Sequence, residues 1–178
     1  MLITQLPLLD DLLAQYAGAL GPDLLGYRHH AYRVVNLCAA LSSREPLPLE
    51  KMAIVAAFHD LGIWTAHTFD YLEPSIVLAR DYLARANRSD WSPEIETTII
   101  EHHKIRSYHA QPTWLVEPFR KADLIDVSRG TLKFGLSRNL IRELYNEFPS
   151  AGFHRRLLAL SMKRLRSHPL SPWPMIRV

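Results

Sequence analysis

Apolar residues recur at spacings of three and four from one end of the chain to the other, and no sustained period-two alternation marks a strand. The pattern predicts an all-α fold, with helices over Leu6 to Leu20, Asp23 to Leu41, Leu49 to Asp60, Pro74 to Ala86, Pro93 to His103, Pro118 to Val127, Ser137 to Phe148 and His154 to Ser167. Proline and glycine support these divisions. Gly21-Pro22-Asp23 ends one helix and starts the next, and Ser92 is read as a cap with Pro93 in the first turn. The tail "HPLSPWPMIRV" is expected to be extended. No internal repeat or low-complexity linker appears, so residues 1–178 are read as a single domain.

Bulk composition narrows this picture only slightly. A 48% hydrophobic content suits a globular chain with a sizeable core, and a net charge of +3 is too small to choose a partner. The apolar start "MLITQLPLLDDLLAQYAGAL" has no basic leader and carries Asp10 and Asp11, so it is expected to be a docked amphipathic helix rather than a signal segment. No stretch approaches the roughly 20 apolar residues of a membrane span. The one cysteine, Cys38, has no mate, which suits a reducing compartment, and the expected location is the cytoplasm. Nine histidines are more informative.

Each helical residue advances about 100°, which shows which of these groups point inward. His30 shares a stripe with Val34, Leu37 and Leu41, whereas His29 is rotated away. In "AAFHDLGIW", His59 lines up with Met52, Val55 and Ala56, and Asp60 follows where the chain turns through Gly62. Asp123 lies on the stripe of Phe119 and Val127, with Asp126 one turn on and to the side. His103 falls near the centre of the arc of Ile95, Ile99 and Ile100, and His102 at its edge. One imidazole on an apolar face is ordinarily a core residue bonded to a backbone carbonyl. Four helices that each aim an imidazole or carboxylate inward are explained together by a bound divalent cation, whose charge offsets the buried acids.

The ordered set His30-Ala31-Tyr32-Arg33, Phe58-His59-Asp60-Leu61-Gly62, Glu101-His102-His103-Lys104 and Lys121-Ala122-Asp123-Leu124-Ile125-Asp126 resembles the HD-domain superfamily of metal-dependent phosphohydrolases. The motif core runs over about residues 27–126, with C-terminal helices and tail over 127–178. The resemblance implies that His30, His59, Asp60 and Asp123 are metal ligands, and that Mn, Co, Ni, Zn, Mg or Fe is bound as one or two ions per chain. For a second ion it points to His102 or His103, with Glu73 or His67 where relatives carry a further histidine. The chain has Ile63 where many relatives place a lysine or glutamate near the reacting water.

The activity so implied is hydrolysis of the phosphate ester of a nucleotide or other small phosphorylated metabolite by metal-activated water. Charge developing on phosphate needs fixed cations, for which Arg33 and Lys104 come first and Arg106, Arg120 and Lys121 after them. His102 or His103 is an alternative proton donor to the leaving oxygen. Two other readings remain: a di-iron oxygenase of the same fold, and a metal-binding module without activity. The basic last helix, with Arg155, Arg156, Lys163, Arg164 and Arg166, is read as a solvated amphipathic helix rather than a nucleic-acid or membrane surface. The tryptophans, Trp173 included, are read as packing residues, with Trp64 or Phe69 near enough to the His-Asp pair to stack on a substrate ring. A homodimer is left open.

Overall fold

The computed structural model describes residues 2–43 and 45–167, and among these there is no strand. The described residues form ten α-helices: α1 (Pro7–Gln15), α2 (Ala17–Leu20), α3 (Leu24–Leu41), α4 (Leu49–Phe58), α5 (Gly62–Thr65), α6 (Leu72–Arg85), α7 (Ser92–Glu101), α8 (Val116–Val127), α9 (Arg138–Glu147) and α10 (Phe153–Ser167). The all-α expectation therefore holds. The expected extended tail and Trp173 lie outside the described residues.

Helix α3 lies along α8, α1 and α3 cover α4, and α7 joins α6 to α8. The core is continuous from Leu6 to Phe153. At its centre is α4, in which every residue from Met52 to Phe58 is buried. A helix apolar on all sides can be stable only when surrounded, and here its last turn delivers His59 and Asp60 to the middle of the molecule.

The N-terminal segment docks as expected, with Leu9, Leu12 and Leu13 buried. Polar bonds fix it: the Asn36 amide pairs with both the N–H and the C=O of Ile3, and Tyr32 accepts from Leu6 N at 2.9 Å while donating to Asp10 at 2.8 Å. The single helix expected over Leu6 to Leu20 is interrupted at Tyr16, whose ring packs edge-on against Phe58. Ser92 makes no cap bond and lies inside α7, whereas Ser137 accepts from Leu140 N as a true N-cap of α9.

Two close approaches place the outer elements around the centre. A Cβ on Gly62 would lie 2.4 Å from the Tyr71 carbonyl oxygen and 3.0 Å from Ser75 N, so only glycine lets the start of α6 come this near the His-Asp turn. The Gly62 N–H donates to Ser75 Oγ at 2.9 Å in the same contact. On the other side a Cβ on Gly26 would meet Ala151 O at 2.9 Å, and this contact seats Phe153 over the His30 ring with centroids 4.0 Å apart.

Candidate metal centre

The last turn of α4 opens at Phe58, and residues 59–61 form a turn closed by Leu61 N to Phe58 O at 3.1 Å and Ile63 N to Asp60 O at 3.0 Å. Tyr27 of α3 steadies that turn, because its hydroxyl donates to Ala57 O at 3.0 Å and accepts from Asp60 N at 3.3 Å. His30, one turn along α3 from Tyr27, His59, Asp60, His102 and Asp123 are all buried, and His103 is 16% exposed.

Hydrogen bonds place a proton on one nitrogen of each ring. His30 Nδ1 lies 2.7 Å from Asp126 Oδ2, His59 Nδ1 3.0 Å from Ala56 O, and His102 Nδ1 2.7 Å from Ile99 O. Each of these partners only accepts, so each Nδ1 donates, and in a neutral ring Nε2 is a bare lone pair. Burial, the largest influence, pushes His59 down to about 4, so that ring is neutral at pH 7.

The bare nitrogens converge. His30 Nε2 and His59 Nε2 are 2.9 Å apart. Asp60 Oδ2 stands 3.9 and 3.6 Å from them, and Asp123 Oδ1 3.6 and 3.9 Å. Donors held at about 2.1 Å around one ion stand roughly 3.0–4.2 Å apart in octahedral geometry, which this spacing fits closely. Asp60 Oδ1 and both Asp123 carboxylate oxygens are buried without a hydrogen-bond partner. Burial alone would raise both acids. The surrounding imidazoles outweigh it, and they hold Asp60 well below, and Asp123 below, the usual carboxylate range. Two ionised acids in a dry interior need positive charge beside them, which protonated imidazoles supply or, where the rings are neutral, a bound cation.

Two tight groups able to hold a metal ion emerge among the described residues, His30–His59–Asp60 and Asp60–His102–His103, and they share Asp60. Asp123 belongs to neither tight group yet touches both sides, through His30 and His59 and through His103 Nδ1 at 3.2 Å. The residues present therefore fit a metal ion.

Several expectations need correction. Arg33, read as facing a phosphate, is wholly buried. Its guanidinium is spent on both oxygens of Asp126, at 2.5 and 2.9 Å, and on Phe148 O at 2.8 Å. It orients Asp126, which orients His30. Arg120 is likewise buried and forks onto Glu117 with two 2.8 Å bonds, while Lys121 reaches Glu117 at 3.3 Å. Arg106 is exposed, and Lys104, half-buried, follows His103. Glu73 and His67 are both exposed, and neither belongs to the metal-capable groups. The order of His102 and His103 is reversed: α7 ends at Glu101, so the helical arc no longer applies, and His102 is the more deeply buried. Trp64 is 4% exposed and bonded to Asp23, which removes it as a stacking platform.

Tyr71, Asp126 and Phe153 were given no role by the sequence reading. Asp126 follows Asp123 by three residues and Arg33 follows His30 by three, so matched spacings on two helices were a usable signal. Tyr71 and Phe153 had none, because close backbone contacts bring them in. No family model, curated protein or solved structure matches the chain.

Proposed function

We propose that the protein is a metal-dependent phosphohydrolase of HD type, acting on a nucleotide or another small phosphorylated metabolite. The observation that carries this reading is the convergence of fixed imidazole nitrogens on acids whose oxygens lack hydrogen-bond partners. His30, His59, Asp60 and Asp123 are the ligands in this reading, and His102 and His103 take a further ion rather than protonating the leaving group. A divalent cation held there supplies Lewis-acid polarisation of a phosphoryl oxygen and an acidified water.

In this reading the substrate occupies a cavity whose lining starts three residues after Asp60. Ile63, three residues after Asp60, lines a cavity of about 310 Å³ together with Phe69, Arg156, Leu160, Lys163 and Arg164. Asp23 lies 3.0 Å from Arg156 and Asp70 3.2 Å from Arg164, so these guanidiniums are held in place. In our reading the cations of α10 attract the substrate's phosphate, and Ile63 and Phe69 give its non-phosphate part an apolar wall.

The test is turnover. Metal-free protein is supplied with manganese, cobalt or nickel and assayed on a chromogenic phosphate ester and a panel of nucleotides. Metal-dependent hydrolysis is expected, and it should be abolished in Asp60→Asn with the fold retained. Protein that binds metal stoichiometrically yet hydrolyses none of these compounds overturns the reading.

A further inference from the structure

Glu73 and His67, the two side chains expected to complete a second metal set, are exposed, and the buried position facing that set is taken by Tyr71. Its hydroxyl is 2.6 Å from His103 Nε2 and 3.5 Å from His102 Nε2. Asp60 Oδ1 is 3.4 Å from His102 Nε2 and 4.0 Å from His103 Nε2. The four atoms Asp60 Oδ1, His102 Nε2, His103 Nε2 and Tyr71 Oη thus form one cluster.

The chemistry of each member favours a cation among them. Asp60 Oδ1 has no hydrogen-bond partner. His102 donates from Nδ1 to Ile99 O, which turns Nε2 toward Asp60 Oδ1. The Tyr71 hydroxyl donates to His103 Nε2, the shortest contact in the group. At 2.6 Å that contact is shorter than the roughly 3 Å between neighbouring ligands on one ion, so binding opens it. The backbone contact at Gly62 holds the start of α6 against this turn, so Tyr71 is placed by the chain rather than by side-chain flexibility.

We infer that Tyr71 is an oxygen ligand of a second metal ion, completing a site with Asp60, His102 and His103. The inference rests on the metal-centre reading above. Binding exchanges the phenol O–H for an oxygen–metal bond, and the proton leaves to solvent past the partly exposed His103. A phenolate is a hard, anionic donor, so the second site is selective for a hard ion such as ferric iron over soft ones, unlike a site completed by histidine.

The experiment loads metal-free wild type, Tyr71→Phe and Tyr71→His with ferrous iron, oxidises each in air, and counts iron alongside the visible absorption spectrum. Circular dichroism melts check that both variants fold. Wild type is expected to hold two irons and show a phenolate-to-iron charge-transfer band in the visible. Tyr71→Phe should lose the band and one iron, whereas Tyr71→His should keep two irons without the band. Two irons in wild type with no visible band, or a Tyr71→Phe spectrum and iron count equal to wild type, overturns the inference and leaves the metal reading standing. Fewer than two irons in wild type overturns the inference, and wild type that binds neither iron nor manganese, cobalt or nickel overturns the metal reading as well.

Discussion

The two sides of the His-Asp cluster are built differently. On the inner side, His30 and His59 are fully buried, and His30 is backed by a chain of charge running through Asp126 to Arg33. Tyr145 adds a hydroxyl bond to Asp126 at 2.9 Å, and Phe153 covers the His30 ring. On the outer side His102 rests on a backbone carbonyl, and His103 is held by Tyr71 and Asp123 at the edge of a loop. The inner side is preformed, since rings fixed by a buried network lose little freedom when a cation arrives. The outer side leaves its ligands hydrogen-bonded to one another, and an ion must displace those bonds. The inner ion should therefore bind more tightly and exchange more slowly.

The largest break in this comparison comes from removing the residue both sides share. Asp60→Ala should reduce metal binding on both sides to background, with loss of any turnover, measured by elemental analysis after dialysis. Full occupancy of either side in that variant would refute the shared-ligand assignment.

Removing inner support should split the two sides. Arg33→Met leaves the buried Asp126 carboxylate without its guanidinium partner, a change that costs about 3–5 kcal/mol. Burial acts to raise Asp126, and His30 and Arg33 together hold it far below the usual range, so the variant keeps only part of what stabilises the buried charge. The melting temperature should drop steeply, and affinity for the inner ion should fall roughly 10–100-fold while the outer ion is spared. If Arg33 instead served a substrate phosphate, the variant would fold and bind metal normally and lose only turnover.

The inner side was also the more legible in the sequence. His30 and Asp123 lie on long helices and His59 is the helical C-cap residue of α4, so the 100° rule placed all three inward, and α3 and α8 run as expected apart from their ends. The outer side was misread because its residues lie where helices stop. His102 and His103 follow the end of α7, and Tyr71 directly precedes α6, so periodicity says nothing about their direction. Arg33 was misjudged for another reason. A cation three residues from a ligand histidine reads the same whether it meets a phosphate or a buried aspartate, and only the partner helix, α8, decides between them.

Gly62→Ala tests how the outer side is held. The added Cβ would press on the Tyr71 carbonyl from 2.4 Å, and backbone must move to admit it. Overpacking of this kind costs about 1–3 kcal/mol. The displaced group is the start of α6, so Tyr71 should withdraw and the outer ion should be lost before the inner one. Chelator titration of the metal-loaded variant measures this order. Equal loss from both sides would show that the two are one rigid unit.

The smallest effect concerns the loop after His103. Arg120 donates to Lys104 O at 2.9 Å and forks onto Glu117, which also accepts from Tyr108 N at 2.9 Å. Burial tends to raise Glu117, but Arg120 and the Tyr108 N–H outweigh it and hold the carboxyl down at about 2. A folded-state value below the ordinary one means that the stability this carboxylate contributes is present above the usual Glu range and is lost as pH falls toward 2. Wild type should therefore melt above Glu117→Gln at pH 6, by about 2–4 °C for a pair worth about 1 kcal/mol. The two curves should converge as the pH approaches 2. Because this clamp holds only the outer loop, Glu117→Gln should speed release of the outer ion and leave the inner one unchanged, and equal release from both would erase the contrast between the two sides.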